Sequence, residues 1–321
     1  MEKIGILTSG GDAPGMNAAI RAVVRSAYVK GLTVYGIERG YQGLIDGRVA
    51  EMGPRDVGGV INKGGTILRT ARCKAFLEAE GRREASRTLA RHGIEGLAVI
   101  GGDGSYRGAH DLYVEHGVPC IGIPGTIDND IGGTDYTIGY DTALNTALDA
   151  IDKIRDTADS HERLFFVEVM GRHSGYLAMM CGVAGGAEAV LVPEYPPDYD
   201  ALIASLQKGA ELGKRSAIVV VAEGAATAMD AARIVSERSQ FNDSRVVVIG
   251  HLQRGGIPTA FDRILASRLG NAAVDALLEG EADKMVGREG KEVLLRPIST
   301  AWEQKTKFHE SMRNLARILA S

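Results

Sequence analysis

The chain has 321 residues, 45% of them hydrophobic and 24% charged, which is enough for two domains that each bury a core. Its net charge of -4 gives no general attraction to nucleic acid or to an anionic membrane, so an anionic ligand must be met by local basic clusters. The sequence indicates neither a signal peptide nor a membrane span. Three cysteines without metal-ligand spacing (Cys73, Cys120, Cys181) favour a reducing compartment, and the cytoplasm is the expected location.

Short β-branched runs recur along the chain, and each is followed by glycine or polar residues and then by a helical pattern. Fully apolar strands that alternate with amphipathic helices are typical of parallel sheets covered on both faces. We therefore predict an α/β protein with mostly parallel sheets. The predicted strands are residues 3–7, 33–37, 97–100, 120–123, 164–170, 189–192, 217–222 and 245–249.

No repeat or Pro/Ser-rich linker divides the chain, so two domains must exchange chain at ordinary loops. We predict the first crossing near Gly139 and the return near Gly250. Residues 302–319 carry apolar side chains at helical spacing, Phe308 among them, and are predicted to form one docked terminal helix. Residues 285–300 show no clear pattern.

The loop after the first strand, residues 8–17 (TSGGDAPGMN), leads into a helix, where free N–H groups and the positive end of the helix dipole favour an anion. This motif alone is weak, because any strand-to-helix turn uses glycine. Gly10 and Gly11 are adjacent and Gly15 follows four residues later, which differs from the Gly-x-Gly-x-x-Gly pattern of dinucleotide folds. No Gly-Lys-Ser/Thr follows either, so the dehydrogenase and P-loop interpretations are both disfavoured.

A second loop, Gly101-Gly102-Asp103-Gly104-Ser105, wraps three glycines around one aspartate at the end of an apolar strand. Glycines let N–H groups approach phosphate oxygens closely, but a carboxylate there repels the phosphates unless a cation lies between them. The alternative is that Asp103 only caps the following helix. The three glycines favour metal binding, and we predict a magnesium-phosphate site.

A third loop, residues 124–130 (PGTIDND), follows the next apolar strand and brings further carboxylates to the same predicted sheet edge. Phosphoryl transfer to an alcohol needs a carboxylate that takes the hydroxyl proton, and Asp128 is the candidate base. Asp130 is expected to orient it, and Thr126 to donate a hydrogen bond to the transferred group. The alternative is a loop in which Asp and Asn side chains bond only to their own backbone.

Basic residues follow two later strands. Arg172 lies at a carboxyl end, where open α/β sheets bind ligands, and its planar fork of donors suits a phosphoryl group; the alternative is a surface salt bridge. His251 and Arg254 suit a phosphate monoester. Arg163 and Arg245 lie at strand starts, remote from Arg172 in one subunit, so they are either structural or reach a neighbouring subunit's site.

These segments, in this order, closely resemble the bacterial ATP-dependent 6-phosphofructokinases, with a likeness that runs from Lys3 to about Gly280. The resemblance implies two Rossmann-like domains with mostly parallel sheets, the phosphofructokinase fold. It also implies Mg-dependent transfer of the γ-phosphoryl of ATP to the 1-hydroxyl of fructose 6-phosphate, the committing step of glycolysis. The segments that carry it are residues 6–17, 100–105, 124–131, 168–172 and 250–256.

The resemblance also implies site residues on both substrates. Tyr41 is expected near the adenine, and Asp103 is expected to serve the metal. The implied ATP-binding residues are Gly11, Tyr41, Arg72, Cys73, Gly102, Asp103, Gly104 and Ser105. The implied catalytic residues are Asp128 as base, with Thr126 and Arg172 stabilising the transferring phosphoryl. The implied sugar-phosphate ligands are Thr126, Asp128, Arg163, Met170, Gly171, Arg172, Glu223, Arg245, His251 and Arg254.

Domains and assembly follow from the same resemblance. A larger ATP-binding domain is expected from residues 1–139 and 252–303, and a smaller sugar-phosphate-binding domain from residues 140–251 and 304–321. Arg163 and Arg245 are expected to come from an adjacent subunit, in this family within a homotetramer. No nucleic acid or membrane partner is expected.

The phosphoryl donor is indicated by two glycines. Pyrophosphate-using relatives typically carry aspartate where this chain has Gly104 and lysine where it has Gly125, and an aspartate at 104 would repel the α-phosphate of a nucleotide. Both glycines favour ATP. The alternatives are a pyrophosphate-dependent enzyme, an NAD or lipid kinase with the same Gly-Gly-Asp-Gly loop, and a catalytically silent nucleotide-binding subunit.

An effector site for ADP or phosphoenolpyruvate is implied by the family but altered in this chain. Gly59 stands where an aspartate is usual, Leu212 where a basic residue is usual, and Pro54 where some members have arginine. Leu77 replaces a basic residue near the nucleotide phosphates, for which Lys74 or Arg82 is a candidate substitute. The implied effector residues are Arg21, Arg25, Arg155, Glu188, Lys214 and Arg215.

Overall fold

The computed structural model describes residues 1–304 and 310–320, and this part of the chain forms two compact units. Unit 1 contains the described residues of Met1–Ile127, Ile131–Thr142 and Arg254–Thr306, and unit 2 those of Asp128–Asp130, Ala143–Gln253 and Lys307–Ser321. Apart from Asp128–Asp130 and the segment near the end of the chain, the chain therefore passes into unit 2 after Thr142 and returns after Gln253. The substrate expected for each unit stays a prediction.

The strands and helices alternate along most of the chain. The strands are β1 (Lys3–Thr8), β2 (Thr33–Ile37), β3 (Val49–Met52), β4 (Gly96–Gly101), β5 (Cys120–Pro124), β6 (Leu164–Val169), β7 (Ala189–Leu191), β8 (Ala217–Ala222), β9 (Ser244–Val248), β10 (Lys284–Glu289) and β11 (Glu292–Pro297). The helices are α1 (Met16–Val29), α2 (Gly40–Asp46), α3 (Ala79–His92), α4 (Asp103–His116), α5 (Tyr140–His161), α6 (Tyr176–Ala184), α7 (Tyr199–Glu211), α8 (Ala228–Arg238), α9 (Ala260–Leu278), α10 (Thr300–Glu303) and α11 (Glu310–Leu319). Short 3₁₀ helices lie at Ala75–Leu77 and Gly250–Arg254.

Unit 1 is built on a sheet with strand order β11-β10-β5-β4-β1-β2-β3. Its strands run parallel except at the edges, where β3 pairs antiparallel with β2 and β11 with β10. The register sets Thr8 opposite Ile100 and Gly101 opposite Pro124, so β1, β4 and β5 end at one edge. Ligand-binding loops are expected at that edge, because it is the carboxyl end of the parallel strands.

Unit 2 has a smaller sheet with strand order β7-β8-β6-β9, and its pairs are all parallel. Glu168 near the end of β6 lies opposite Val221 of β8 and Val248 of β9, so these strands also end together. The two sheets confirm the predicted α/β class with mostly parallel sheets.

The core of unit 1 explains why its central strands read as apolar runs. β4 is buried along its whole length, since helices cover both faces of the sheet. One such layer is the pair α1 and α9, which approach closely at Gly270: a Cβ there would lie 2.8 Å from Ala22 Cβ and 2.9 Å from the Ala19 carbonyl oxygen. Glycine at this position therefore sets the helix spacing.

Near the end of the chain, the structure differs from the sequence analysis in two segments. Residues 285–300, which showed no clear pattern, lie mostly in the β10–β11 hairpin, whose turn includes Gly290 at φ 57°. The prediction of one helix over residues 302–319 is wrong, because α10 ends at Glu303 and Gln304 is extended (φ -97°, ψ 113°). Trp302 packs against the core of unit 1, whereas α11 packs in unit 2 against α6. Phe308 lies outside the described residues.

Within the described residues, no helix is both long and apolar enough to cross a lipid bilayer.

Candidate active site

Three loops meet at the carboxyl edge of the unit 1 sheet. The Ser9 N–H donates to the Ile100 carbonyl oxygen at 2.9 Å, and the Gly125 N–H donates to the Gly101 carbonyl oxygen at 3.0 Å. A Cβ on Gly101 would lie 2.6 Å from the Ser9 carbonyl oxygen, so only glycine allows this approach. The loops after β1, β4 and β5, which sequence reasoning singled out separately, are thus neighbours.

Gly11 in the first loop lies beneath the side chain of Arg254. The Arg254 Nη1 atom donates to the Asp12 carbonyl oxygen at 3.0 Å. A Cβ on Gly11 would lie 2.4 Å from that same nitrogen. Two residues that the resemblance assigned to different ligands, Gly11 to ATP and Arg254 to the sugar phosphate, are therefore in contact within unit 1.

The second loop opens helix α4 toward solvent. The helix begins at Asp103, and its N-cap is Gly102, which carries no side-chain cap, so the Asp103 carboxylate is not the helix cap. A Cβ on Gly102 or on Gly104 would meet no atom within 4 Å. The first turn of a helix presents N–H groups and the positive dipole end to an anion, and here open space faces it. Ser105 of the same turn is buried.

The carboxylate at this loop suits a hard cation whose remaining ligands come from a bound substrate and from water. Within residues 1–304 and 310–320, no three His, Cys, Asp or Glu side chains converge on a point that could hold a metal ion alone. Mg²⁺ in phosphoryl-transfer sites is usually held by one or two carboxylates together with phosphate oxygens and waters. The half-buried Asp103, beside open glycines, fits that pattern.

Tyr41 supports this loop from below. Its ring is 5% exposed and stacks on Phe76 with centroids 3.9 Å apart, and its hydroxyl donates to the Ser105 carbonyl oxygen. Burial raises the pKa of the Tyr41 phenol well above its usual value, so it stays a donor. The structure thus gives Tyr41 a contact with the start of α4, and its predicted place near an adenine stays a prediction.

Arg72 and Cys73 lie just before the 3₁₀ helix Ala75–Leu77. Arg72 is exposed, and Cys73 is half-buried against the core of unit 1. Burial raises the pKa of the Cys73 thiol, so it is a neutral contact group rather than a thiolate. Arg82 does not replace the cation missing at Leu77, because it is buried and its guanidinium bonds Glu115 and the carbonyls of Phe76 and Leu77.

The third loop combines a half-buried threonine with buried acidic and amide groups. The Thr126 N–H donates to the Ile138 carbonyl oxygen at 3.1 Å, and the Thr126 carbonyl oxygen accepts from Thr137 Oγ1 at 2.6 Å. Asp128 and Asn129 are each 2% exposed, and Asn129 has a left-handed backbone (φ 48°). Asp128 therefore lies in a largely dry environment.

In unit 2, the turn after β6 is held by side chains. The Gly171 and Arg172 N–H groups donate to Glu223 Oε1 at 3.3 and 2.9 Å, and the Met170 N–H donates to Gln253 Oε1 at 2.9 Å. Gly171 and Arg172 have positive φ values of 148° and 52°. Four predicted residues, Met170, Gly171, Arg172 and Glu223, thus meet at the end of β6, and Gln253 joins them without having been singled out.

The segment after β9 is fixed at the same end of the unit 2 sheet. The Ile249 N–H donates to the Glu168 carbonyl oxygen at 3.0 Å, which aligns the 3₁₀ helix Gly250–Arg254 with the end of β6. His251 in that helix is exposed. A Cβ on Gly224 would lie 1.9 Å from the Arg172 carbonyl oxygen, so the β8 loop packs tightly on the same turn.

Arg163 and Arg245 lie at the opposite, amino-terminal end of the unit 2 strands. Arg163 Nε donates to Asp243 Oδ2 at 3.0 Å, and Arg245 Nη1 contacts Asp243 Oδ1. The hydrogen bond from Arg163, together with the charge of both arginines, lowers the pKa of the Asp243 carboxyl. The structure therefore joins these two arginines to each other and not to Arg172.

The expected effector residues are divided between the units. Arg21 is half-buried and Arg25 exposed on α1 of unit 1. In unit 2, four side chains already have partners. Arg155 donates to the Gly185 and Gly186 carbonyls, Glu188 accepts from the Ile218 N–H, Lys214 donates to the Ala320 carbonyl, and Arg215 pairs with Glu162. Gly59 and Pro54 lie in unit 1, and Leu212 is 70% exposed in unit 2.

The fold and these loops define an α/β protein whose parallel strands end in glycine-containing turns at the carboxyl edge of each sheet. The family model for phosphofructokinase matches residues 3–277, and the chain belongs to the phosphofructokinase family.

Full-length relatives carry one name. The chain is 56% identical over 321 residues to the ATP-dependent 6-phosphofructokinase 1 of Thermus thermophilus, with 100% of each covered. It is 55% identical over 320 residues to the ATP-dependent 6-phosphofructokinase of Halalkalibacterium halodurans, again with 100% of each covered. The crystal structure of Pichia pastoris phosphofructokinase in the T-state matches 99% of this chain at a TM-score of 0.89 and 39% identity. This chain covers 39% of that longer one.

Proposed function

We propose that this chain is an ATP-dependent 6-phosphofructokinase, which transfers the γ-phosphoryl of ATP to the 1-hydroxyl of fructose 6-phosphate and releases fructose 1,6-bisphosphate and ADP. The observation that carries the proposal is the meeting of the β1, β4 and β5 loops at one sheet edge, in a chain whose full-length relatives bear that name. The reaction belongs to glycolysis, and the expected location is the cytoplasm.

ATP is favoured over pyrophosphate as donor by the two glycines as well as by the relatives' name. Gly104 faces open space, so nothing there obstructs a nucleotide. At Gly125, a Cβ would lie 2.9 Å from Ile100 Cγ2 and 3.1 Å from Met16 Cε, so a lysine does not fit without repacking. The chain is therefore packed around glycine at position 125, and at position 104 it leaves open space.

ATP is bound, in this proposal, mostly by backbone. Gly11, Gly102, Gly104 and Ser105 line the phosphates, with Arg72 and Cys73 beside the nucleotide and Tyr41 buttressing Ser105. Asp103 would hold the magnesium ion, which would supply positive charge against the negative charge that develops on the phosphates. The open first turn of α4 supports this assignment, because helix N-termini and glycine turns favour polyphosphates.

The reaction itself rests on three side chains. Asp128 takes the proton of the sugar 1-hydroxyl as the new oxygen–phosphorus bond forms and the bond to the β-phosphate oxygen breaks. Thr126 donates a hydrogen bond to the transferring group, and Arg172 stabilises its negative charge. The near-complete burial of Asp128 supports its role, since a dry environment strengthens such interactions.

The sugar phosphate is held by Met170, Gly171, Glu223, His251 and Arg254, in addition to the catalytic residues. Arg163 and Arg245 bind the 6-phosphate of a neighbouring subunit's substrate, within a homotetramer. Their position at the amino-terminal end of β6 and β9, paired with Asp243, supports a role outside their own subunit's site. Arg21, Arg25, Arg155, Glu188, Lys214 and Arg215 form the effector site for ADP or phosphoenolpyruvate in this proposal, with Gly59, Pro54 and Leu212 weakening it.

A donor assay tests the proposal. Purified protein is given fructose 6-phosphate with either MgATP or magnesium pyrophosphate, and the bisphosphate is measured through a coupled aldolase reaction. We expect turnover with ATP alone and its loss on chelation of magnesium. Turnover with pyrophosphate alone would contradict the donor, and an inactive homo-oligomer would restore the silent-subunit alternative.

Subunit mixing tests the shared site. Asp128→Ala and Arg245→Ala are each expected to be nearly inactive as pure oligomers. Co-expressed, they form sites in which one subunit supplies Asp128 and its neighbour supplies Arg245, so activity is expected to return. Persistent inactivity of the mixed oligomers, verified by tagged pull-down, would place each site within one subunit.

A further inference from the structure

Gln253 is a buried amide to which neither the sequence analysis nor the proposed reaction gives a role. It lies in the 3₁₀ helix Gly250–Arg254, between His251 and Arg254, and its exposed fraction is 0%. Its Oε1 atom accepts a hydrogen bond from the Met170 N–H at 2.9 Å, across 83 residues of sequence. The bond joins the turn after β6 to the segment after β9 within unit 2.

The orientation of this amide is fixed by its partner. The Met170 N–H is a donor, so it is the oxygen of Gln253 that faces it and the nitrogen that points away. Among the described residues, Gln253 Nε2 is buried and has no hydrogen-bond partner. A buried donor without an acceptor costs stability, and a methionine of similar shape would avoid that cost. The presence of an amide at position 253 is therefore explained by the hydrogen bond that its oxygen accepts from the Met170 N–H.

The Met170 N–H begins a turn whose backbone is not relaxed. Gly171 and Arg172 both have positive φ values, and their N–H groups are held by Glu223. Three successive amides, Met170 to Arg172, thus each donate to a side-chain oxygen. A residue such as Arg172 in the left-handed region keeps that conformation only where its surroundings fix it.

We propose that Gln253 is a positioning residue: its Oε1 bond to the Met170 N–H fixes the Met170–Arg172 turn against the Gly250–Arg254 helix, and so aligns Arg172 with His251. The inference rests on the proposed function, in which both side chains grip the sugar phosphate. Gln253 acts through its neighbours and does not itself touch the substrate, since it is fully buried.

Two variants separate the oxygen from the rest of the side chain. Gln253→Met keeps the shape and removes the acceptor, whereas Gln253→Glu keeps an acceptor oxygen and removes the buried nitrogen. We expect Gln253→Met to raise KM for fructose 6-phosphate by about 10- to 100-fold, because small misplacements of binding groups have effects of that size. KM for ATP is expected to stay within about twofold, and kcat is expected to fall as well, because Arg172 also stabilises the transferring phosphoryl in the proposed reaction. Gln253→Glu keeps the acceptor but buries a carboxyl group, and it is expected to lose less affinity for fructose 6-phosphate than Gln253→Met.

The control is Gln207→Met, the same replacement at an exposed position of α7. An unchanged KM for fructose 6-phosphate in Gln253→Met would overturn the proposal.

Hydrogen exchange at the Met170 amide, measured by mass spectrometry on the free enzyme with residue-resolved fragmentation, gives a readout independent of any substrate. Exchange is expected to accelerate in Gln253→Met and to remain slow in Gln253→Glu and Gln207→Met. If the wild type does not phosphorylate fructose 6-phosphate, the proposed function fails while this result still decides the hydrogen bond. Unchanged Met170 exchange in Gln253→Met would refute the bond's role even where kinetics change.

Discussion

Unit 1 and unit 2 end their parallel strands in turns of opposite construction. In unit 1, Gly102 and Gly104 leave the first turn of α4 facing open space, and Gly11 leaves room for a guanidinium. In unit 2, the amides of Met170 and Arg172 are occupied by side-chain oxygens. In unit 1, glycines leave the backbone of the turn uncovered by side chains. In unit 2, side chains hold the backbone of the turn in place.

The difference suits the two substrates of the proposed reaction. A polyphosphate offers many equivalent oxygens, and backbone N–H groups with a helix N-terminus bind them when nothing obstructs the approach. A sugar phosphate must be distinguished from similar sugars, which requires side chains at fixed positions. Side chains stay at fixed positions only if the backbone turn that carries them does not move. Glu223 and Gln253 restrain the Met170–Arg172 turn in this way.

The largest expected effect tests whether the chemistry lies in a side chain. Asp128→Ala is expected to reduce kcat by roughly 10²- to 10⁴-fold, the usual contribution of a general base, with little change in KM for ATP. Steady-state kinetics with each substrate varied measure both quantities. Asp152→Ala, at an exposed position of α5, is the control. Turnover near the wild-type rate would remove Asp128 from the base role.

The next effect tests whether unit 1 works by the absence of side chains. Gly104→Asp places a carboxylate where a nucleotide phosphate is expected, and we expect KM for ATP to rise by about 100-fold, because juxtaposed like charges cost several kcal/mol. The open space around Gly104 means that folding is unaffected, which thermal denaturation checks. Gly104→Ala is the matched control and is expected to bind ATP nearly normally. Equal effects of the two substitutions would show that bulk, and not charge, is decisive.

A smaller effect is expected where unit 1 does depend on a side chain. In Gly11→Ala, the new methyl group displaces the Arg254 guanidinium and breaks its bond to the Asp12 carbonyl. We expect KM for fructose 6-phosphate to rise by about 10-fold, since Arg254 is a proposed sugar-phosphate ligand. Gly53→Ala, where a methyl group meets only Asp56 Oδ2 at 3.8 Å, is the control. A change confined to KM for ATP would mean that Arg254 does not serve the sugar phosphate.

The sequence predicted the central strands well and the edges poorly. β4 and β5 are buried along their whole lengths, so they appear in the sequence as uninterrupted apolar runs. β3 and β11 are edge strands with half-buried and exposed residues, and they lack that signal. Gly290 between β10 and β11 marks a hairpin turn, a signal that a search for apolar runs does not use.

The parts of the site that could be predicted are those whose functional residues lie close together in the sequence. The loop around Asp103 and the loop around Asp128 each contain a recognisable motif within a few residues. The Met170–Gln253 bond and the Arg163–Asp243 pair join residues about 80 positions apart, 83 and 80 respectively, so no local pattern contains them. A lone buried glutamine also has no sequence signature, since only the fold shows which N–H it meets.

The smallest expected effect concerns Asp262, which gives unit 1 a counterpart to Glu223. Asp262 is fully buried, and its carboxylate accepts from the Gly139 N–H at 2.9 Å and from the Thr142 N–H and Oγ1 at 2.9 and 2.6 Å. Burial is the main cause that raises the pKa of Asp262 to about 6, and the charge of Asp141 adds to it, while the hydrogen bonds oppose the shift. Glu223, in contrast, is exposed.

The sign of the pH dependence follows from this raised pKa. Because the folded pKa exceeds the unfolded value of about 3.9, the stability that Asp262 contributes is fully present below about pH 4 and is lost as pH rises through about 6. Asp262→Asn removes the titration and keeps one acceptor oxygen. Between pH 7 and pH 5, the unfolding free energy of the wild type is therefore expected to rise relative to Asp262→Asn by roughly 1 kcal/mol.

Urea denaturation followed by the fluorescence of Trp302 measures this difference, because the single tryptophan packs in unit 1. Glu51→Gln, at an exposed position of β3, is expected to show a smaller pH-dependent difference from the wild type. If the difference in unfolding free energy between the wild type and Asp262→Asn does not vary with pH, then ionising the Asp262 carboxyl in the folded protein carries no extra free-energy cost. Burial would then no longer distinguish the role of the Asp262 carboxylate in unit 1 from that of the exposed Glu223 carboxylate in unit 2.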